Sequence, residues 1–127
     1  MFKRVDHLAL HVPDVARAAE FYESTFGFER YFEHPSSSGS PIAYLRLGGT
    51  VLELTQREAA EPMSGFHFCI ETDDITAATD KLTAAGVPIV QRPYRTTPRS
   101  SAEEGWHRAV FRGPAGELIE LRGRVAG

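Results

Sequence analysis

Cysteine is almost absent from this chain. Cys69 stands alone among 127 residues, which excludes an internal disulfide and any zinc site built from several thiolates. Such usage fits a reducing compartment, so a cytoplasmic location is expected. An excess of one charge is lacking too. Fourteen Lys and Arg face 17 Asp and Glu, a net charge of −3, which gives no electrostatic case for nucleic acid or an anionic membrane as partner. No apolar run approaches the ~20 residues of a membrane-spanning helix. The opening Met1-Phe-Lys-Arg-Val-Asp-His7 enters a strand pattern at once, where a signal peptide would need a charged and then an apolar stretch. What is present, 42% hydrophobic and 24% charged residues, suits one globular domain with a real core.

The chain repeats itself. Val5–Val12 alternates with period two, Leu8, Leu10 and Val12 on one side and His7, Ala9 and His11 on the other. Pro13-Asp14 ends that strand and opens a helix over Val15–Phe26, with Val15, Ala18, Ala19, Tyr22 and Phe26 on one face and Gly27 as its stop. Strands are expected at Phe28–His34, Ile42–Leu47 and Val51–Gln56. A loop of Pro35–Pro41 separates the first two, and Gly48-Gly49 makes a hairpin between the others. After a polar linker over Arg57–Ser64 the pattern restarts. It runs through a strand at Phe66–Thr72, a helix at Ile75–Ala85 stopped by Gly86 and a strand at Val87–Gln91. An Arg- and Pro-rich loop at Arg92–Gly105 and strands at Trp106–Arg112 and Glu117–Arg122 complete it. The expected class is α+β: two β-α-β-β-β modules, about 1–57 and 65–123, a duplication with a period of roughly 60 residues.

Each module places one His near its start and one Glu near its end. His7 is matched by His67. Glu53 in Gly49-Thr-Val-Leu-Glu-Leu54 is matched by Glu120 in Gly116-Glu-Leu-Ile-Glu-Leu121. Strand alternation sends the apolar neighbours Leu52, Leu54, Ile119 and Leu121 towards the helices and all four His and Glu residues to the helix-free face. Two carboxylates on a half-buried face repel each other and lose hydration, and a divalent cation relieves both. Two imidazoles and two carboxylates give a neutral first shell that suits Ni, Co, Zn, Mn or Fe. If the ion is octahedral, two positions stay open for water or a chelating substrate.

At these residues the chain resembles the vicinal oxygen chelate superfamily, which includes glyoxalase I, methylmalonyl-CoA epimerase, extradiol dioxygenases and bleomycin-resistance proteins. The resemblance rests on Val5-Asp-His-Leu-Ala-Leu-His-Val-Pro-Asp14, Phe26-Gly27-Phe28, Val51-Leu-Glu-Leu-Thr55, Gly65-Phe-His-Phe68 and Gly113-Pro-Ala-Gly-Glu-Leu-Ile-Glu-Leu121. It implies one domain of two modules forming an incomplete, cup-like barrel, commonly paired as a homodimer, with a small-molecule substrate. It also implies metal ligation by His7, Glu53, His67 and Glu120. Glu53 makes the set more similar to glyoxalase I, a lactoylglutathione lyase, than to the epimerase, which usually has Gln there. It disfavours an Fe(II) ring-cleaving dioxygenase, which needs that coordination position. A non-catalytic resistance protein would lack the set.

The implied activity is that of a metal-dependent lyase or isomerase, with Glu120 as principal base and Glu53 as its counterpart. The substrate would be small, with a thiol adduct as one candidate. An Arg-rich first strand and the Asn-Trp stretch after Glu-Leu-Thr, usual in glutathione-using relatives, are missing here. Tyr44 and Arg46 on the third strand, with Arg92 and Arg95 on the long loop, are candidates for holding substrate. Arg99 shares that loop, and Cys69 reads as a small buried filler.

Overall fold

The computed structural model describes residues 1, 3–58 and 67–126. The chain divides into two compact units, Met1–Glu61 and Pro62–Gly127. The first contains β1 (Leu8–Val12), α1 (Val15–Phe26), β2 (Glu29–Pro35), β3 (Pro41–Leu47) and β4 (Thr50–Gln56). The second contains β5 (His67–Thr72), α2 (Ile75–Ala84), β6 (Ile89–Arg95), β7 (His107–Arg112) and β8 (Leu118–Gly123), with a 3-10 turn at Ser101–Glu103. Each unit folds as β-α-β-β-β with an α+β, four-stranded mixed sheet, ordered β1-β4-β3-β2 in one and β5-β8-β7-β6 in the other. Neither sheet closes on itself. The first strand of each unit pairs in parallel with the last, and the remaining pairs are antiparallel. Much of the expected linker, together with Gly65 and Phe66, lies outside the described residues.

Local chemistry explains the helix bounds. Asp14 caps α1 by accepting from the Arg17 amide at 3.1 Å, and Gly27 ends it in the left-handed region at φ 78°. An L side chain there would crowd the following carbonyl, so glycine terminates the helix at little cost. Asp74 caps α2 in the same way, accepting from the Thr76 and Ala77 amides. The apolar stripe of α1 is Val15, Ala18, Ala19 and Tyr22, and all four are buried. Leu10, Val12, Ala43, Leu45, Leu52 and Leu54 are buried as well, each on the alternate positions that the period-two pattern assigns to the helix side. A fully buried Leu of this kind stabilises by about 1.5–3 kcal/mol. In the second unit Ile75, Leu82, Ala109, Phe111, Ile119 and Leu121 form the corresponding core.

Two expectations need correction. Arg92–Gly105 is not all loop, because β6 continues through Arg95 and pairs Tyr94 with Arg108 and Arg95 with His107. The ladder breaks between Gln91 and Tyr94, around Pro93, which has no amide to donate. An edge strand tolerates that gap, so the proline interrupts the ladder without ending the strand. Likewise β1 begins at Leu8 rather than Val5, which leaves His7 one residue ahead of the strand.

Candidate functional site

In the first unit His7 and Glu53 meet. Parallel pairing sets Leu8 opposite Leu52 and Ala9 opposite Glu53, so a side chain just ahead of β1 reaches one in the middle of β4. His7 Nε2 lies 2.9 Å from Glu53 Oε2. Its other nitrogen, Nδ1, lies 3.0 Å from Asp6 Oδ2, and that hydrogen bond holds the Asp6 carboxyl below its usual range. Both ring nitrogens thus face a carboxylate oxygen, and an Nδ1–H donated to Asp6 is the contact that would orient the imidazole for ligation through Nε2 if an ion took the place of the Nε2 proton. Glu53 also accepts from the Thr55 hydroxyl at 2.9 Å. Tyr44 stands opposite Glu53 in the ladder, and its phenol is pushed up by desolvation and by its hydrogen bond to Glu53. A groove of about 310 Å³ lies beside His7, lined by Asp6, Leu8 and Thr50. A larger one of about 510 Å³, lined by Val15, Arg30, Glu33 and Gln56, lies at the start of α1. It shares none of the His7–Glu53 chemistry.

The second unit repeats the pair with a different partner. His67 Nε2 lies 3.1 Å from Glu120 Oε2. Glu120 is only 5% exposed, and its other oxygen is 3.0 Å from Arg108 Nε. Arg108 also donates to the Tyr94 hydroxyl at 3.0 Å. The cation that a buried carboxylate calls for is thus, on this unit, a guanidinium. Within either unit no third His, Cys, Asp or Glu joins the pair as a potential ligand among the described residues. Asp6 sits on the far nitrogen of His7.

The substrate candidates are Tyr44 and Arg46 in the first unit and Arg92 and Arg95 in the second. Tyr44 is beside the His7–Glu53 pair, its ring 6.1 Å from that of His7. Arg46 pairs with Glu29 at 3.1 Å and lies 4.9 Å from the centre of the Tyr31 ring. Arg92 and Arg95 belong to β6 rather than to a loop, and Arg95 approaches Glu104 at 3.9 Å on the surface. Arg99 is held by Glu103 through three guanidinium hydrogen bonds. Cys69 is exposed rather than a buried filler. It is nonetheless packed enough that partial desolvation and the Glu120 charge push its thiol up to about 11.

Sequence reasoning missed two features. Arg108 escaped notice, although β7 alternates Arg108, Val110, Arg112 against Ala109 and Phe111, and that period marks it as sharing the Glu120 face. The other is a β-bulge between Arg30 and Phe32. It brings the consecutive residues Tyr31 and Phe32 both within ring contact of Tyr44, at 6.4 and 6.1 Å. His34 stacks on Tyr44 at 5.9 Å. A bulge adds one residue to a strand and re-aims its side chains, which strict alternation cannot show.

With this geometry in place, residues 4–121 match the model of the Glyoxalase/Bleomycin resistance protein/Dioxygenase superfamily. The chain belongs to that superfamily. The ethylmalonyl-CoA/methylmalonyl-CoA epimerase of Cereibacter sphaeroides is 31% identical over 71% of this chain and 76% of its own length. The chain spans about half of the mitochondrial methylmalonyl-CoA epimerases it matches, 49% of the human one. A probable lactoylglutathione lyase of Vibrio cholerae is 28% identical over 93% of this chain and 88% of its own. Among solved structures, the fosfomycin resistance protein of Listeria monocytogenes complexed with Mn(II) and sulfate superposes with a TM-score of 0.76. It is 16% identical and covers 97% of this chain and 93% of its own, a likeness of fold. Relatives of this chain thus carry enzyme names, an epimerase and a probable lyase, and no described helix of this chain is long and apolar enough to cross a membrane.

Proposed function

We propose that His7, Glu53, His67 and Glu120 hold one divalent metal ion and that the chain is a lyase or isomerase. Its reaction would move a proton on the carbon next to a chelated carbonyl or hydroxyl. The observation that carries this reading is the matched pair: His Nε2 to Glu Oε2 at 2.9 Å in one unit and 3.1 Å in the other. The donor set fits the group, being nitrogen and oxygen without thiolate, with one imidazole oriented by Asp6. The Mn(II) in the Listeria protein, and the epimerase and lyase names among the relatives, support it further. The bound ion would supply Lewis acidity, lowering the pKa of the adjacent C–H and stabilising the enolate or enediolate formed.

The protein side chains do the rest. Glu120 would take the proton on one side and Glu53, carrying a proton of its own, would deliver that one from the other, both then exchanging with water to reset; a base in hydrogen-bond reach contributes about 10²–10⁴-fold. Tyr44 and Thr55 hold the Glu53 carboxylate in place, and Arg108 pairs with Glu120 as long as no ion competes for that carboxylate. The substrate is a thioester of the acyl-CoA kind or a thiol adduct such as the glutathione hemithioacetal of methylglyoxal. The two chemistries share the same step. The protein works as a homodimer in the cytoplasm.

The test has two parts. Purified protein, stripped and titrated with Ni(II), Co(II), Zn(II), Mn(II) and Fe(II), should take up one ion per chain. Proton exchange into D₂O should then be followed by NMR for methylmalonyl-CoA and for methylglyoxal with glutathione. Exchange at the carbon next to the carbonyl, lost in Glu120→Gln, is the expected result. Metal uptake without exchange in either substrate class would favour a binding protein, and full exchange in Glu120→Gln would remove Glu120 as base.

A further inference from the structure

The two units share a frame but furnish it differently. In the first, the ladder position opposite Thr55 is Ile42 and the one opposite Glu53 is Tyr44. In the second, the corresponding positions pair Arg122 with Arg108 and Glu120 with Val110. Glu53 therefore keeps neutral hydroxyl neighbours, while Glu120 keeps a guanidinium. Arg108 is half-buried, its side chain 28% exposed. Its neighbour in the ladder, Arg122, reaches Glu103 only at 3.5 Å and has a buried Nε without a partner among the described residues. This row of the sheet sets two guanidinium groups side by side, and Arg122 is served by Glu103 and by the Thr96 hydroxyl at 3.4 Å while Arg108 depends on Glu120 for its counter-charge.

We propose that Arg108 is a specificity-determining residue that receives an anionic group of the substrate, a carboxylate or phosphoryl oxygen, once a metal ion has taken Glu120 from it. The inference rests on the metal reading above. A carboxylate shared with a divalent ion satisfies Arg108 less well, and a cation left half-buried without a counter-charge is costly. A substrate oxyanion restores the pair. Arg108 has the fork geometry for it, and its hydrogen bond to Tyr94 keeps the guanidinium in place while its Glu120 partner changes. A neutral chelating substrate would leave the charge uncompensated, so the site should discriminate against it.

Two variants and three ligands test this. Arg108→Met and Arg108→Lys would be compared with the parent protein by calorimetric titration, first with Ni(II) and then, Ni(II)-loaded, with hydroxamate chelators. Acetohydroxamate has no second anionic group, malonomonohydroxamate adds a carboxylate and phosphonoacetohydroxamate adds a phosphonate. The parent should prefer one of the anionic ligands over acetohydroxamate by about 10- to 100-fold, the range of one charge-assisted hydrogen bond. In Arg108→Met that preference should fall to near unity, with acetohydroxamate affinity kept. Ni(II) should bind Arg108→Met more tightly, because the competitor for Glu120 has gone. Arg108→Lys should keep part of the preference. A preference unchanged in Arg108→Met, with Ni(II) bound, overturns this inference and leaves the metal reading intact. Failure of the parent to bind any of the metals overturns both.

Discussion

Thr55 donates a 2.9 Å hydrogen bond to Glu53 from two residues further along β4. Thr55 is 5% exposed, so its hydroxyl has few alternatives and fixes the carboxylate against rotation. If Glu53 is a metal ligand, this hydroxyl orients it from outside the coordination shell, where such contacts are typically worth about 10- to 100-fold in metal affinity. Thr55→Val should weaken Ni(II) or Co(II) binding by that order without unfolding the protein, and Thr55→Ser should recover most of it. Calorimetric titration of the three proteins reads the effect, and equal affinities would mean that Thr55 serves packing alone.

Glu103 makes a prediction about pH. Hydrogen bonds from the Arg99 guanidinium and amide, with the Arg99 and Arg122 charges, bring its carboxyl down from 4.5 to about 2. A depressed folded-state value means the unfolded chain takes up the proton first. The stabilisation is then fully present above about 4.5 and is lost as pH falls towards 2. Glu103→Gln should lower Tm at pH 6–7, and the gap from the parent should narrow between pH 4.5 and 2 and vanish below. Circular-dichroism melts across that range measure it. A gap that does not change with pH would assign the loss to packing rather than to ionisation.

Much of this was legible in the sequence because the period-two and helical patterns rest on burial alone. Leu52 and Leu54 go to the core, so Glu53 must go the other way, and the same holds for Ile119, Leu121 and Glu120. Asp14 and Gly27 mark α1 because their cap geometries demand those residue types. Three features were not legible. The bulge at Arg30–Phe32 changes facing without a compositional signal, since neither Tyr31 nor Phe32 is a glycine. Pro93 reads as a loop residue, yet an edge strand accommodates it. The Arg108–Glu120 pair joins residues twelve apart, and it follows only once β7 and β8 are known to be antiparallel neighbours in a particular register.

Gly123 pairs with Thr72 across β8 and β5, and a Cβ on it would overlap the Thr72 carbonyl oxygen. The backbone cannot move aside without breaking the parallel ladder that also positions Glu120. Gly123→Ala should therefore destabilise by about 1–3 kcal/mol, the usual cost of overpacking. Gly49 provides the control, for a Cβ there meets nothing within 4 Å and its φ is not positive. Urea unfolding should show a clear loss for Gly123→Ala and little change for Gly49→Ala. Comparable stabilities for the two variants would mean that β5 and β8 shift apart at little cost.

Tyr22 carries the core of the first unit. It is fully buried, at 0% exposure, with the rings of Phe21, Phe28 and Phe26 at 5.1, 5.5 and 6.0 Å. The Phe21 and Phe28 contacts are edge-to-face, a geometry that adds to the burial energy of aromatic pairs. Truncation to alanine removes the ring and leaves a cavity that three aromatic neighbours and the sheet can fill only in part. Tyr22→Ala should cost about 3–5 kcal/mol in urea unfolding. Tyr22→Phe, which keeps the ring, should cost far less. Because the sheet beneath α1 holds Glu53 and Tyr44 in β4 and β3, Tyr22→Ala should also weaken metal binding whenever the unit is partly unfolded. Raising stability with an osmolyte should restore that affinity. An affinity loss that persisted in a fully folded Tyr22→Ala protein would instead tie the helix packing directly to the geometry of the His7–Glu53 pair.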